Sequence, residues 1–379
     1  MLVPIWIWLT FIFFFGCCIG SFLNVVIYRL PKDKSLVTPP SSCPSCDERI
    51  RFYDNIPIVS WVVLGGKCRY CKERISPRYF FIELLTALLF TGLFYLYFYT
   101  DIRSGIEMIT KGGWIIYLIH IILLGGFIAA SAIDLELWVI PLSICWFVTA
   151  VGLIGSSVSV FIVDPKIIDG FDLLPTASFR SSLLAIGAAI GLAISLLLLK
   201  SGLIKRSYEQ DVDGSSDSEV HYNHRVEMCK EIVFLLPIII CSVAFFVIFR
   251  TIKPLNSWWL DFLSSTPSMG NFFGSLWGYF IGCGLIWATR IFGTLGFGKE
   301  AMGLGDMHLM GAAGTIIGPV FTTIAFFIAP FFGLGWALFQ MFFKKTRQIP
   351  YGPFLSLGVF VVMIFHDRIF SCLMSLLYQ

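Results

Sequence analysis

The sequence predicts an all-α polytopic membrane protein with about nine or ten transmembrane helices and a small zinc-binding cytoplasmic domain. Three observations predict it. Of 379 residues, 57% are hydrophobic and only 13% charged, with a mean hydropathy of +0.83, far outside soluble globular composition. Apolar runs of membrane-spanning length recur along the chain. One polar segment, 29–79, gathers four of the eleven cysteines.

Runs long enough to cross a hydrocarbon core of about 30 Å fall at 4–28, 80–100, 114–133, 138–162, 181–204, 232–250, 271–292, 319–343 and 353–376. The first has no basic residue ahead of it and is too long for a secretory signal, so it reads as a retained helix. A shorter run, 306–318, reads as a half-span. Glycines recur in "GSLWGYFIGCG" and "AIGAAIG", spacings that let helices approach closely in lipid.

Orientation follows from the loops, because cytoplasmic loops hold the excess of Lys and Arg. Segment 29–79 carries ten Lys/Arg against five Asp/Glu, so it is expected inside and the N-terminus outside. Alternation then puts Asp134 at the cytoplasmic end of the third span, with 205–231 and 293–306 on the same side. Lys344, Lys345 and Arg347 also fall inside if 306–318 and 319–343 form a hairpin. Because 232–250 counts as a crossing, Asp134 and Asp306 share one membrane face. The polar segment 205–231 reads as a flexible loop. The outer loop with Asp164, Asp169 and Asp172 reads as a solvated connector. A net charge of +3 and a lipid-facing composition make the bilayer the expected environment, and no nucleic-acid partner is expected.

Two acids stand where apolar runs begin or end. Ionisable groups at such depth are expensive and are functional hypotheses by default. Asp134 lies in "SAIDLELWVIP" and Asp306 in the G-x-G-D of "AMGLGDMHLM", where Gly303 and Gly305 permit tight backbone conformations. If the two carboxyls meet, they cannot both ionise cheaply and share a proton. One then acts as base on water while the other donates to a carbonyl oxygen, which is aspartic protease chemistry. The alternative for each is a helix-end acid: Asp306 capping the following helix, Asp134 sitting in interfacial water beside Glu136.

Cys43, Cys46, Cys68 and Cys71 form two C-x2-C pairs separated by 21 residues, close to the spacing of a four-thiolate zinc site. Separate dithiols are the rival reading, disfavoured in a segment expected to be cytoplasmic. Such a site is closed and structural, with no open position for catalysis. Asn24 and Glu83 are polar groups in apolar spans and each needs a partner in lipid. Arg29, Arg69, Arg74 and Arg78 are expected to contribute the inside-positive bias and to meet anionic lipid.

"GSFLNVVIYRLP", "CPSC", "YDNIPIVSWVVLGGKCRYC", "ISPRYFFIELLTA", "IDLELWVIP", "EAMGLGDMHLMGAAG" and "IPYGPFLSLG" occur in order. Together they resemble the type IV prepilin leader peptidases, a bacterial family of G-x-G-D aspartic membrane proteases. The resemblance covers nearly the whole chain except about 163–265. It implies that Asp134 and Asp306 are catalytic and that the substrates are prepilins or pseudopilins. Cleavage would follow a glycine, at the cytoplasmic face of the bacterial inner membrane. It also implies N-methylation of the new amino terminus with S-adenosylmethionine, linked to the N-terminal cytoplasmic region, with zinc at the four cysteines. Asn24 and Glu83 are then candidates for the methyl-transfer or substrate pocket, and, since the leaders of such substrates are basic, Asp47, Glu48, Asp54 and Glu73 for leader contact. The alternatives are a protease without methyltransferase activity and a proton-coupled carrier.

The resemblance divides the chain into a first helix (1–28), a four-cysteine domain (29–79), spans carrying Asp134 (80–162), an insertion of loops and two extra spans (163–265), and spans carrying the G-x-G-D motif (266–379). In one departure, His308 replaces the usual lysine of G-x-G-D-x-K, which is expected either to lower the pH optimum or merely to face the interface. The other is the insertion itself, whose even number of crossings leaves Asp306 on the same side.

Overall fold

A computed structural model of the chain describes residues 4–100, 102–106, 109–163, 173–208, 223–343 and 350–377. Its helices are α1 (Ile5–Arg29), α2 (Val59–Val63), α3 (Arg78–Tyr99), α4 (Gly113–Leu137), α5 (Leu142–Ser159), α6 (Phe179–Lys200), α7 (His224–Thr251), α8 (Lys253–Ser265), α9 (Pro267–Phe297), α10 (Leu304–Phe343), α11 (Gly352–Ile364) and α12 (His366–Leu377). Among the described residues there is no β-strand, only two isolated bridges. Eight helices are long and apolar enough to cross a membrane, or nine if α11 and α12, bent by 77° at their junction, count as one span. Lipid leaves no water for unpaired backbone groups, which is why the membrane part is helical throughout.

Eight of the nine long apolar runs each fall on one helix, and the ninth, 353–376, is divided between α11 and α12 at their 77° bend. The half-span at 306–318 is fused with the next run in α10, whose helical conformation is broken at Gly318 (φ 79°, ψ 170°). A residue with that φ needs to be glycine. An unbroken helix of 40 residues would measure about 60 Å, twice the hydrocarbon core. The sequence reading did not foresee α8, an amphipathic helix that ends the insertion and turns Trp259 inward, where its indole N–H donates to Ser182 Oγ of α6 at 2.9 Å. The loop calls at Asp164, Asp169 and Asp172, most of the acidic loop, and Lys344, Lys345 and Arg347 lie outside the described residues.

The chain divides into two compact units, 1–148 with 328–379, and 149–327. In the first, α1 packs along α3 and α4, and α11 packs on α4. Gly16 and Gly20 make the α1–α3 approach possible: a Cβ at either would lie 2.6 Å from a Cα of α3. In the second unit, α6 and α7 pair antiparallel, with Ser195 Oγ donating to Phe234 O and Ser242 Oγ to Leu184 O. Helix α9 carries glycines at four-residue spacing against α10, and a Cβ at Gly278 would fall 2.0 Å from Gly314 O. The expected packing role of both glycine motifs is what the helices use.

Candidate active site and metal centre

In the first unit the cysteine segment folds as two copies of one small device. Cys43 N–H donates to Glu48 O and Asp47 N–H to Cys43 O; Cys68 N–H donates to Glu73 O and Lys72 N–H to Cys68 O. Each copy carries a bridge, Ser42 with Arg49 and Lys67 with Arg74, and each turns on a left-handed residue directly after its second cysteine, Asp47 (φ 53°) and Lys72 (φ 59°). The devices aim four sulfurs at one point, all within 4.8 Å of one another. Sγ atoms of Cys43 and Cys71 are 3.8 Å apart, and tetrahedral zinc with bonds of about 2.3 Å requires an edge of about 3.8 Å. The four cysteines therefore fit a structural zinc ion, with no position left open.

Three of the four arginines expected to meet lipid, Arg29, Arg69 and Arg78, bond protein partners. Arg69 grips Asp54 with two nitrogens; those bonds hold the Asp54 carboxyl below the usual carboxylate range and occupy one acid proposed for substrate contact. Arg78 pairs with Glu136 near the end of α4, and Arg29 donates to the carbonyls of Ser35 and Pro39.

Asn24 and Glu83 both lie along the α1–α3 contact, Asn24 against Tyr79 and Glu83 against Gly20. Asn24 is buried, its amide N–H donating to Tyr79 O at 3.0 Å, while Oδ1 has no hydrogen-bond partner among the described residues. Glu83 accepts from Ile58 N–H at 2.7 Å. Ile58 has φ 63°, a strained conformation for a β-branched residue. Asn24 thus bonds from α1 to α3, the helix-to-helix bond its place in an apolar span calls for, while Glu83 bonds backbone just ahead of α2, and Asn24 Oδ1 is a buried acceptor.

Asp134 occupies the last turn of α4. That helix stops at Trp138, which takes a left-handed conformation and donates its N–H to Asp134 O. The Asp134 carboxyl is only 6% exposed, and among the described residues it forms no ion pair. Its Oδ2 accepts from Gly352 N–H at 3.0 Å, so the positive N-terminus of α11 faces the acid. Gly352 is required there because a Cβ would stand 2.8 Å from Oδ2. Gly352 lay in a motif quoted for the resemblance but not among the site residues. The signal was Gly-Pro opening an apolar run, which marks a helix start.

In the second unit, Asp306 is buried in the first turn of α10, as its third residue rather than as a cap. Gly303 lies beside it, with a built Cβ 3.5 Å from Oδ2. The left-handed glycine of this loop is Gly298 (φ 65°); Gly303 and Gly305 are not among the positive-φ glycines. The tight backbone conformation expected of Gly303 and Gly305 is thus taken by Gly298 instead. The His308 ring meets Tyr279 OH through Nδ1 at 3.0 Å, so it points into α9 rather than to the interface. Sequence reasoning missed Arg290, fully buried in α9, whose guanidinium bonds Glu231, Glu300 and the Met302 carbonyl. A cation inside the apolar run 271–292 was the available signal.

Comparison with known proteins bears on this arrangement. A family model described as "Bacterial Peptidase A24 N-terminal domain" matches residues 14–97. The "Prepilin leader peptidase/N-methyltransferase" of Aeromonas hydrophila is 24% identical over 393 residues, covering 96% of this chain and 93% of that protein. The chain is thus similar to the prepilin leader peptidases over nearly its whole length. The member from Myxococcus xanthus, of the same printed name, is 41% identical over 135 residues, 35% of this chain and 36% of its own length. In the Pseudomonas aeruginosa member, 43% identity over 97 residues covers 20% of this chain and 33% of that one. No solved structure matches the chain.

Proposed function

We propose that the chain is a prepilin leader peptidase: an aspartic endopeptidase of the bacterial inner membrane that removes the basic leader of prepilins or pseudopilins at the cytoplasmic face. The N-terminus would lie outside. The observation that carries the reading is Asp134, a buried acid at the end of an apolar helix, met by a helix N-terminus and not by a cation. Such a carboxyl is expensive unless it has work to do. Asp306, in the G-x-G-D turn, is its proposed partner. With one proton between two carboxyls, the ionised one takes a proton from water and the protonated one donates to the scissile carbonyl oxygen. Backbone N–H groups of the 303–306 turn would stabilise the oxyanion.

Zinc at Cys43, Cys46, Cys68 and Cys71 would hold the segment 29–79 folded. S-adenosylmethionine, when bound, supplies a methyl group for the new amino terminus, and Asn24 Oδ1 and Glu83 are the groups that would receive its polar atoms. The test is co-expression with a type IV prepilin and mass measurement of the mature N-terminus, which reads cleavage and methylation together. Asp134→Asn and Asp306→Asn should each leave the leader uncut in a folded protein. A folded Asp306→Asn enzyme that still processes prepilin sinks the acid-pair reading.

A further inference from the structure

The helix pair α6–α7, absent from the usual pattern that the motifs imply, is linked through Arg290 of α9 to the loop that carries the G-x-G-D turn. Glu231 of α7 and Arg290 of α9 are 4% and 2% exposed. Arg290 Nε donates to Glu231 Oε1 at 3.0 Å, and Nη1 donates to the Glu300 carboxylate and to Met302 O. The second oxygen of Glu231 accepts from Trp287 Nε1 at 2.8 Å, and Ser207 Oγ donates to the first at 3.0 Å. Tyr208 lies under the guanidinium, 5.6 Å from ring centroid to Cζ. The same loop is held once more by Ala301 N–H donating to Thr294 Oγ1 at 3.2 Å. Met302 stands four residues before Asp306.

A buried guanidinium is tolerable only when paired, and its planar fork transmits orientation: fixing Nε fixes where Nη1 points. Glu300 is 48% exposed, so its pair with Arg290 is screened by water. Glu231 is buried and has three donors around it, so it sets the plane. We propose that Glu231 is a positioning residue for peptide cleavage: from the inserted helix it fixes Arg290, and Arg290 fixes the 298–303 loop and thereby the Asp306 carboxyl. The insertion is then a brace for the catalytic turn. This rests on the role proposed above for Asp306.

The test compares full-length wild-type enzyme with Glu231→Gln, Glu231→Asp and Ser242→Ala, each purified in detergent and checked for monodispersity. Two quantities are read: kcat and KM on a purified prepilin, and hydrogen–deuterium exchange of the peptide covering 298–305. Glu231→Gln should lower kcat about 10- to 100-fold, the scale of a misplaced catalytic group, with KM unchanged and faster loop exchange. Glu231→Asp, which keeps the charge, should recover part of both. Ser242→Ala weakens the α6–α7 contact at Leu184 without touching the brace and should change neither. Wild-type kcat and exchange in Glu231→Gln, or equal damage from Ser242→Ala, overturns the proposal. Should Glu231→Gln fail to fold, wild-type exchange in Glu231→Asp overturns it. Exchange is also read in the Asp306→Asn background, where the brace is judged without cleavage, so loss of the acid-pair reading and loss of the brace are separate results.

Discussion

Gly352→Ala separates the position of the Asp134 carboxyl, proposed above as catalytic, from the stability of the fold. The added methyl carbon would sit 2.8 Å from Asp134 Oδ2 and 3.0 Å from Ile140 Cδ1, where ordinary contact begins near 3.4 Å. Both are ends of side chains, so the backbone of α11 can stay and the carboxyl must retreat by about 0.6 Å. That stretches the 3.0 Å bond from Gly352 N–H past useful length. A hydrogen bond to a charged group contributes about 1.5–3 kcal/mol, which is about 10- to 150-fold in rate at 1.36 kcal/mol per decade. Stability should fall by only about 1 kcal/mol. Initial cleavage rates on a purified prepilin give kcat and KM, and thermal unfolding in detergent gives stability. Ser356→Ala, one turn along α11, removes the bond between Ser131 and Ser356 and should leave kcat unchanged. A folded Gly352→Ala enzyme with wild-type kcat would refute the claim that this N–H sets the working position of Asp134.

Three further outcomes are expected. Cys68→Ser should abolish zinc co-purification, measured by elemental mass spectrometry, and open 29–79 to protease, because the metal supplies about 10–16 kcal/mol in isolated zinc knuckles; retained zinc at one per chain would contradict the four-thiolate site. Gly282→Ala should lower the thermal midpoint, by about 1–3 kcal/mol of overpacking or more, since its Cβ would lie 2.2 Å from Met310 O, a backbone atom that cannot swing away; a wild-type midpoint would contradict the close helix approach. The Asp54 carboxyl titrates below its unfolded value of about 3.9 because Arg69 binds it, so its contribution is complete above that pH and is lost as pH falls through the lower folded value. Limited proteolysis of 29–79 between pH 3 and 6 should show loosening only at the acid end, and Arg69→Ala should remove that dependence.

Much of the architecture was legible because its signals are local. Twenty apolar residues in a row have one stable form in lipid, a helix, so the nine long runs could be read without knowing their neighbours. The cysteine spacing worked for a similar reason, since two short turns bring their thiols together by their own backbone hydrogen bonds. Helix α8 escaped because an amphipathic helix at an interface has no membrane-length signature; its place depends on Trp259 reaching Ser182, 77 residues earlier in the chain.

By itself, the sequence determined that the chain is helical and membrane-embedded, which acids sit at span ends, and which four thiols can share a metal. Tertiary structure alone decided what surrounds them: Gly352 against Asp134, Tyr279 against His308, and Glu231 on Arg290 behind the G-x-G-D loop. The reason is physical. Hydropathy and short-range spacing are properties of neighbours in sequence, while the partner of a buried charge is chosen by packing between helices that may be 218 residues apart, as Asp134 and Gly352 are.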